Sequence, residues 1–199
     1  MQNYEIILVD GNGTSTLDLL SDSSLNKDII KISSNKGRAN QMNAGAEIST
    51  SEILLFLHAD TLLPNKACDL ITEALKDKDA GAFDLSFDSN NIFLKTIAKV
   101  ASWRSRITKL PYGDQAIFIK KDVFHTLNGY ENLPLMEDVN LMQKLKKYNY
   151  KIQILPQCVI TSARKWEKSG IVYTTVRNWI LISLYYCGVH PSKLAKYYK

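Results

Sequence analysis

Polar side chains that could bind a cation or a phosphate follow a short apolar run at residues 53–57. The run is five apolar residues long, and His58, Asp60 and Thr61 come soon after it. Because side chains alternate along an extended chain, His58 and Asp60 would point the same way if the extended backbone continues. A metal ion or a phosphate could use both. The alternative is a strand followed by a polar turn, with Asp60 capping a helix that starts near Asn65.

Three further positions combine residue types that suit a nucleotide or a diphosphate. Asp10 ends the predicted strand at 4–9, where it could accept hydrogen bonds from a base or ribose, or close an Asx-turn on its own loop. Arg38 stands near a predicted helix start, where it could contact a diphosphate or remain solvated. Arg164 and Trp166 belong to a predicted loop at 162–166, which suits a phosphate and equally suits a solvent-exposed bend.

Short β-type runs alternate with helical patterns along the chain, which is typical of an α/β domain built on a mixed sheet. Strands are predicted at 4–9, 29–32, 53–57, 80–87, 116–119, 152–155 and 158–161. Helices are predicted at 15–20, 35–46, 65–78, 91–109 and 122–127, from within 133–138 to about 149, and at 171–186. The continuous apolar run at 53–57 predicts a strand buried on both faces, inside a parallel sheet.

Length and composition restrict the class of protein. The chain has 199 residues with 45% apolar content, which fits one domain with a single core. A formal charge of +5 favours anionic partners, but no dense Lys/Arg block precedes the tail, so no nucleic-acid partner is expected. Cys68, Cys158 and Cys187 lie outside any C-x-x-C spacing, which predicts reduced thiols and a cytoplasmic protein.

The C-terminal segment 171–199 is aromatic, apolar and basic. Its apolar part is shorter than the ~20 residues that span a bilayer, and the N-terminus shows no signal-peptide pattern. The segment is compatible with lying on an anionic membrane, at the inner face for a cytoplasmic protein. A partner subunit or the domain's own core could cover the same surface. In the helix predicted at 91–109, Trp103 could stack on a ligand ring, but a place in the core is the favoured expectation.

Six short motifs occur in order along the chain. They are VDG at 9–11, GRANQMNAGA at 37–46, LHADT at 57–61, YGDQA at 112–116, MEDV at 136–139 and TSARKWE at 161–167. Together they resemble a bacterial branch of the family 2 glycosyltransferases. The resemblance implies the GT-A fold of nucleotide-diphospho-sugar transferases, with a mixed, mostly parallel sheet flanked by helices. Residues 1–199 would form one such domain, with 171–199 as a helical extension.

The resemblance also implies a reaction, namely inverting, hexosyltransferase-like sugar transfer. The donor would be a nucleotide-diphospho-sugar, the cofactor Mg²⁺ or Mn²⁺, and the acceptor hydroxyl would belong to a glycan, a lipid or a small molecule. His58-Ala59-Asp60 aligns with the family's D-x-D metal motif, so Asp60 would be a carboxylate ligand and His58 replaces the first aspartate. Asp138, or in second place Glu137, matches the catalytic base.

Donor binding is implied for residues in four of the motifs. Asp10 matches an aspartate near the base and ribose, Arg38 would lie by the nucleotide or phosphates, and Arg164 and Trp166 resemble the R-W element of processive relatives. The full implied donor-binding set is Asp10, Gly11, Arg38, Gln41, Asn43, Arg164 and Trp166.

The start of the chain departs from the family pattern. Family members begin with a further strand, an Asn-Glu turn and a helix before the strand that here is predicted at 4–9. The resemblance therefore implies that this unit, roughly 30 residues as half of a βαβ element, is missing. An unpaired sheet edge would favour association, including a homo-oligomer. One alternative is a non-catalytic nucleotide- or glycan-binding module of the same fold. Another is a nucleotidyltransferase, but its Gly-rich, Lys-containing phosphate loop is not seen.

Overall fold

The computed structural model describes residues 4–12 and 29–198, which form a mixed α/β fold. Its main elements are, in chain order, β1 (Ile6–Asp10), β2 (Ile29–Ser33), α1 (Arg38–Ile48), β3 (Ile53–Leu55), β4 (Thr61–Leu62), α2 (Ala67–Ala74), β5 (Ala80–Phe87), α3 (Ile92–Thr108), β6 (Phe118–Lys120), α4 (Lys121–Thr126), α5 (Glu137–Lys147), β7 (Ile152–Thr161), α6 (Arg164–Ser169), α7 (Ile171–Tyr186) and α8 (Pro191–Leu194). Short 3₁₀ turns stand at Gly113–Gln115 and Ala195–Tyr197. The helix predicted at 15–20 lies outside the described residues.

The described strands form two sheets. Strands β1 and β2 pair in parallel over five residues. The larger sheet has the order β3-β6-β5-β7-β4, in which β5 and β7 pair in parallel over eight residues. The three antiparallel pairings of this sheet involve only two or three residues each. Parallel pairing therefore covers most of the paired residues, and the predicted mixed sheet flanked by helices is confirmed.

Strand β3 differs from its prediction. It ends at Leu55, lies at the edge of the five-stranded sheet and pairs antiparallel with β6, so its predicted place inside a parallel sheet is wrong. The Phe56 N–H still donates to the Ile117 carbonyl at 2.9 Å, but Leu57 is exposed. A continuous apolar run has no period that reports which neighbours a strand has or which way they run, so the sequence could not distinguish the two cases.

The structure around Pro156 and in the segment that follows also differs from the predicted secondary structure. One strand, β7, replaces the two predicted strands, because its register against β5 shifts between Phe83 and Asp84 and accommodates Pro156 and Gln157 as a bulge. The prediction of a loop at 162–166 is wrong, since helix α6 begins at Arg164. Its start is organised by the Ser162 hydroxyl, which accepts a hydrogen bond from the Arg164 N–H at 3.3 Å.

Helix α1 connects the two sheets. A Cβ atom on Gly45 would lie 3.2 Å from Val9, so the glycine allows the helix to approach β1 closely. Another side of the helix contributes Ala39 and Ala46 to the core that contains Leu54. The first described strand is also held near its start, because the Glu5 carboxylate accepts hydrogen bonds from residues 49–51. No helix in the described part of the chain is long and apolar enough to cross a membrane.

Candidate active site

A cavity of about 710 Å³ lies beside the five-stranded sheet, and its lining divides into two kinds of surface. Charged and polar side chains come from the start of α1, the turn after β3, helix α3, the 3₁₀ turn and the residue before it, the start of α5, and α6. Apolar side chains come mainly from β5, α3, α6 and α7. The charged and polar part includes Arg38, His58, Asp60, Arg104, Tyr112, Asp114 and Asp138, and the cations Arg164, Lys165 and Lys168 also line the cavity. The apolar part comprises Leu85, Phe87, Ile97, Val100, Ala101, Trp166, Trp179, Leu181 and Ile182.

Asp138 joins the start of helix α5 to the 3₁₀ turn. Its Oδ1 accepts a hydrogen bond from the Val139 N–H at 2.8 Å, and its Oδ2 accepts one from the Gly113 N–H at 2.5 Å. A Cβ atom on Gly113 would lie 3.2 Å from Asp138 Oδ2 and 3.2 Å from His58 Nε2. The glycine thus leaves room for the carboxylate and the imidazole to converge. Two backbone donors fix the orientation of a carboxylate that faces the cavity.

Glu137 is buried behind this carboxylate and paired with an arginine. Its side chain is 2% exposed, and its two oxygens lie 2.8 Å from Arg38 Nε and 3.4 Å from Arg38 Nη2. Burial raises the pKa of Glu137, the Asp138 charge raises it further, and Arg38 opposes both. Burial alone would lower the pKa of Arg38, but Glu137 and Asp138 outweigh it, and the pKa is raised. Arg38 is therefore a fixed cation at the edge of the cavity.

Asp114 is a third carboxyl group in the same cavity. Burial raises its pKa to about 6, the Asp138 charge contributes in the same direction, and Arg104 and Arg38 oppose the shift. Its Oδ1 is buried and accepts no hydrogen bond from the described residues. The turn that carries it is held by Gln115, whose Nε2 donates to the Phe83 carbonyl at 2.8 Å. Residue types alone assigned no role to Asp114, and the available signal was the YGDQA motif.

His58 and Asp60 both line the cavity, but not through an extended backbone. The chain turns after His58, where the Thr61 N–H donates to the His58 carbonyl at 3.1 Å. Burial lowers the pKa of His58, Arg38 lowers it further, and Asp138 and Asp60 oppose the shift. The imidazole is thereby favoured in its neutral form, which has a free lone pair on one nitrogen. The Asp60 residue is exposed to the cavity and solvent.

The donor atoms at this site fit a cation that a substrate also binds. Within the described residues, 4–12 and 29–198, no group of three or more His, Cys, Asp or Glu side chains is arranged to hold a metal ion. Mg²⁺ in particular is usually bound through one or two carboxylates together with substrate phosphates. The cavity offers the Asp60 carboxylate and the His58 imidazole for that arrangement. These side chains could therefore hold a divalent cation only with oxygen ligands from a bound phosphate compound or water.

The structure brings six of the predicted site residues to one cavity. They are Arg38, His58, Asp60, Asp138, Arg164 and Trp166. Glu137 lies behind them and contacts Arg38. The Trp166 ring also packs against Phe87, with 4.8 Å between ring centroids, so it belongs to both the cavity wall and the core.

The other predicted donor-binding residues lie outside the lining of this cavity. The Asp10 carboxylate accepts a hydrogen bond from the Asn12 N–H at 2.9 Å, which closes an Asx-turn. Gln41 donates to the Val9 carbonyl at 2.9 Å, and a Cβ atom on Gly11 would lie 3.1 Å from the Gln41 side chain. Asn43 uses both amide atoms on the Tyr130 backbone, at 2.8 and 2.9 Å. These contacts organise the β1–α1 region, and a role in donor binding stays a prediction.

Comparison with known proteins supports one family and one fold. The model of the family described as "Glycosyl transferase family 2" matches residues 1–130. Among solved structures, the chain is similar to mannosyltransferase PcManGT from Pyrobaculum calidifontis in complex with GDP-Man and Mn2+ (16% identity, TM-score 0.59, covering 78% of this chain and 47% of that chain). It is also similar to S. aureus TarS 1-349, with UDP (13%, 0.61, 98% and 60%) and without a named ligand (11%, 0.59, 98% and 60%).

These similarities differ in what they support. At such low identities the solved structures establish the fold alone, which is the GT-A fold of glycosyltransferases. This chain spans about half to three fifths of the length of those structures. A search of the curated proteins finds no match.

Proposed function

Since this chain belongs to glycosyl transferase family 2, we propose that it transfers a sugar from a nucleotide-diphosphate donor to an acceptor hydroxyl, with inversion at the anomeric carbon and a divalent cation as cofactor. Family membership supports the sugar-transfer role. The finer statement is carried by the oriented Asp138 carboxylate, which shares one cavity with Asp60 and Arg38. The type of sugar, including whether it is a hexose, is part of the proposal.

Asp138 is the proposed catalytic base. In an inverting transfer the acceptor oxygen attacks the anomeric carbon while its proton passes to the carboxylate, and the bond from that carbon to the diphosphate oxygen breaks. The two backbone N–H groups hold the Asp138 carboxylate towards the cavity, and each carboxylate oxygen retains further lone pairs. Glu137 is a weaker candidate, because its two oxygens are engaged by Arg38. We assign Glu137 to positioning Arg38.

Asp60, with His58 beside it in the cavity, is the proposed contact for Mg²⁺ or Mn²⁺. When bound, such a cation neutralises charge on the diphosphate leaving group. Arg38 supplies a second, permanent positive charge, and its pairing with Glu137 holds the guanidinium in place. The fold neighbour from Pyrobaculum calidifontis was solved with GDP-Man and Mn2+, which supports this choice by analogy of fold.

The remaining predicted residues have secondary places in this proposal. Asp10, Gly11, Gln41 and Asn43 would border the nucleotide from the β1–α1 region, although their present contacts are with the backbone and one another. Arg164 and Trp166 line the cavity beside the apolar part of its wall, where an acceptor or the diphosphate would pass. The acceptor would be a glycan, a lipid or a small molecule.

A thermal-shift screen tests the donor and cation assignments together. The chain is heated with UDP, GDP, dTDP or CDP, each with and without Mn²⁺, because a ligand at 100 times its dissociation constant adds ~2.7 kcal/mol to the unfolding free energy. We expect one nucleotide to raise the melting temperature chiefly when Mn²⁺ is present. Asp60→Asn should remove the metal-dependent part of this rise in melting temperature. A matched change at an exposed helical aspartate, Asp69→Asn, should retain it.

Two results would contradict the proposal. One is a folded chain whose melting temperature responds to none of the nucleotide and metal pairs. The other is a metal-dependent shift that is equally large in Asp60→Asn and in the unchanged chain.

A further inference from the structure

Helix α3 exposes an apolar stripe on the side that borders the cavity. Leu94, Ala98 and Ser102 face β5 and are buried. A second set of residues on this helix is large, apolar and exposed. This set is Ile92, Phe93, Val100, Trp103 and Ile107. Trp103 is 67% exposed, so its predicted place in the core is wrong.

Helix α7 exposes an even broader apolar face. Its only charged residue is Arg177, which is 8% exposed and therefore turned inward. The outward face carries large apolar and aromatic side chains instead of the charged residues that usually cover a surface helix. These exposed residues are Val172, Tyr173, Val176, Trp179, Ile180, Leu184 and Tyr186.

The two exposed faces meet at the mouth of the cavity. Val100 of α3 and Trp179 of α7 both line the cavity, and they are 47% and 61% exposed. Each helix therefore presents its apolar face up to the same opening, from two sides. We call this surface, formed by the exposed residues of α3 and α7, the apolar flank. Monomeric soluble proteins rarely expose apolar patches of this extent without a partner.

The two segments that carry the apolar flank are rich in positively charged residues. Residues 91–109 contain five Lys or Arg and no acidic residue, and residues 164–199 contain seven Lys or Arg and one acidic residue. Together the two segments carry a formal charge of +11, whereas the whole chain carries +5, so the remaining residues sum to −6. The positive charge is thus concentrated in the segments that bear the apolar faces. Lys95, Lys99 and Lys168 are among its exposed members.

We propose that the apolar flank docks on an anionic lipid bilayer, so that the cavity opens at the membrane surface. Tryptophan and tyrosine favour the boundary between headgroups and acyl chains, where an apolar ring and a polar edge are both satisfied. Lysine and arginine beside such a face attract anionic headgroups. A second copy of this chain would bring two strongly positive segments together, which makes it the weaker choice. The docking requires no membrane-spanning helix.

Sedimentation of the full chain with lipid vesicles tests this proposal independently of any enzymatic activity. Vesicles of phosphatidylcholine alone are compared with vesicles that also contain phosphatidylglycerol. We expect binding to the anionic vesicles at low salt, and a severalfold weaker partition at 0.5 M salt. Val176→Glu with Ile180→Glu should lower the partition about tenfold, because the apolar face and the charge attraction are both weakened. Trp103→Glu with Ile107→Glu should act in the same direction.

The matched control is Leu62→Glu with Tyr148→Glu, which replaces two exposed apolar residues outside both segments. This control adds two negative charges, as the flank variants do. Apart from the effect of those charges, we expect its partition onto anionic vesicles to stay close to that of the unchanged chain. The proposal is overturned if the folded chain does not sediment with anionic vesicles. It is also overturned if all three double variants lose binding equally. A chain that is dimeric in solution, binds no vesicles and becomes monomeric with Val176→Glu and Ile180→Glu would assign the apolar flank to a second copy.

Discussion

The charged part of the cavity and the apolar flank beside it are built in opposite ways. In the charged part, Glu137 is paired with Arg38, and Asp138 is held by two backbone N–H groups. On the apolar flank, residues such as Trp103 and Ile180 project outward from single helices. The first arrangement fixes a few atoms in place and shifts pKa values, which suits chemistry. The second offers area without fixed geometry, which suits a surface partner. Substitutions should therefore change the free energy of unfolding strongly in the charged part, and only weakly on the flank.

The largest effect on stability is expected from breaking the ion pair between the buried Glu137 and Arg38. Arg38→Met leaves the Glu137 carboxylate buried without its cation. Losing one member of a fully buried pair costs about 3–5 kcal/mol, and we expect about 2 kcal/mol here because water reaches the guanidinium; the Arg38 side chain is 42% exposed. The cost should grow from pH 4 to pH 7, since a protonated Glu137 needs no counter-charge. Chemical denaturation at several pH values measures it.

Two comparisons make that prediction specific. Adding Glu137→Gln to Arg38→Met should restore much of the lost stability, because the buried charge is then gone. Lys76→Met breaks the fully exposed pair with Glu73 and should leave the stability nearly unchanged, because water screens both charges. An Arg38→Met variant that behaves like Lys76→Met at every pH would show that the pair is not structurally important.

A smaller effect, of opposite sign, is expected from Asp114. Its pKa of about 6 in the native state exceeds the ordinary value of 3.8, so the native state binds more protons than the unfolded state between these pH values. The unfolding free energy contributed by this group therefore falls as pH rises through that window. Asp114→Asn should be neutral near pH 4 and stabilising by about 1–2 kcal/mol at pH 7.5. Equal denaturation midpoints for Asp114→Asn and the unchanged chain at pH 7.5 would contradict the burial of a charged carboxyl group at this position.

The smallest effect is expected on the apolar flank. In the absence of lipid, Val176→Glu with Ile180→Glu should change the unfolding free energy by no more than about 0.5 kcal/mol for each exposed position. The reason is that these side chains contribute little to the core. A loss of several kcal/mol in denaturant unfolding would mean that α7 packs against the rest of the chain through this face, and the contrast between the two regions would fail.

The local hydrophobic pattern of the sequence correctly predicted those elements whose bounds do not depend on distant parts of the chain. Strand β5 and helix α7 match their predicted ranges of 80–87 and 171–186, because clear alternation in one and a long apolar stretch in the other have distinct boundaries. The antiparallel partner of β3 is β6, which lies more than 60 residues later in the chain, and no local signal reports this pairing. Pro156 lies between the strands predicted at 152–155 and 158–161, but a bulge accommodates it within one strand.

The candidate site likewise depends on both local pattern and distant contacts. Four side chains singled out in the sequence, Arg38, His58, Asp60 and Asp138, lie around one cavity because turns and helix starts carry them to it. The role of Asp114 could not be read from its residue type, since its raised pKa depends on burial and on the approach of Asp138. The exposure of Trp103 was likewise hidden, because a tryptophan in an amphipathic helix usually faces the core. Contacts between distant segments decide all of these properties.

The most direct test of the account is sugar transfer, or donor hydrolysis, by Asp138→Asn beside Asp122→Asn. Both aspartates accept a hydrogen bond from the next N–H at a helix start, at 2.8 Å for Asp138 and 2.7 Å for Asp122, but only Asp138 lines the cavity. We predict that turnover falls by about 10²–10⁴-fold in Asp138→Asn and stays within about twofold in Asp122→Asn. Full turnover in a folded Asp138→Asn variant, or equal losses in both, would contradict the assignment of Asp138 as the base.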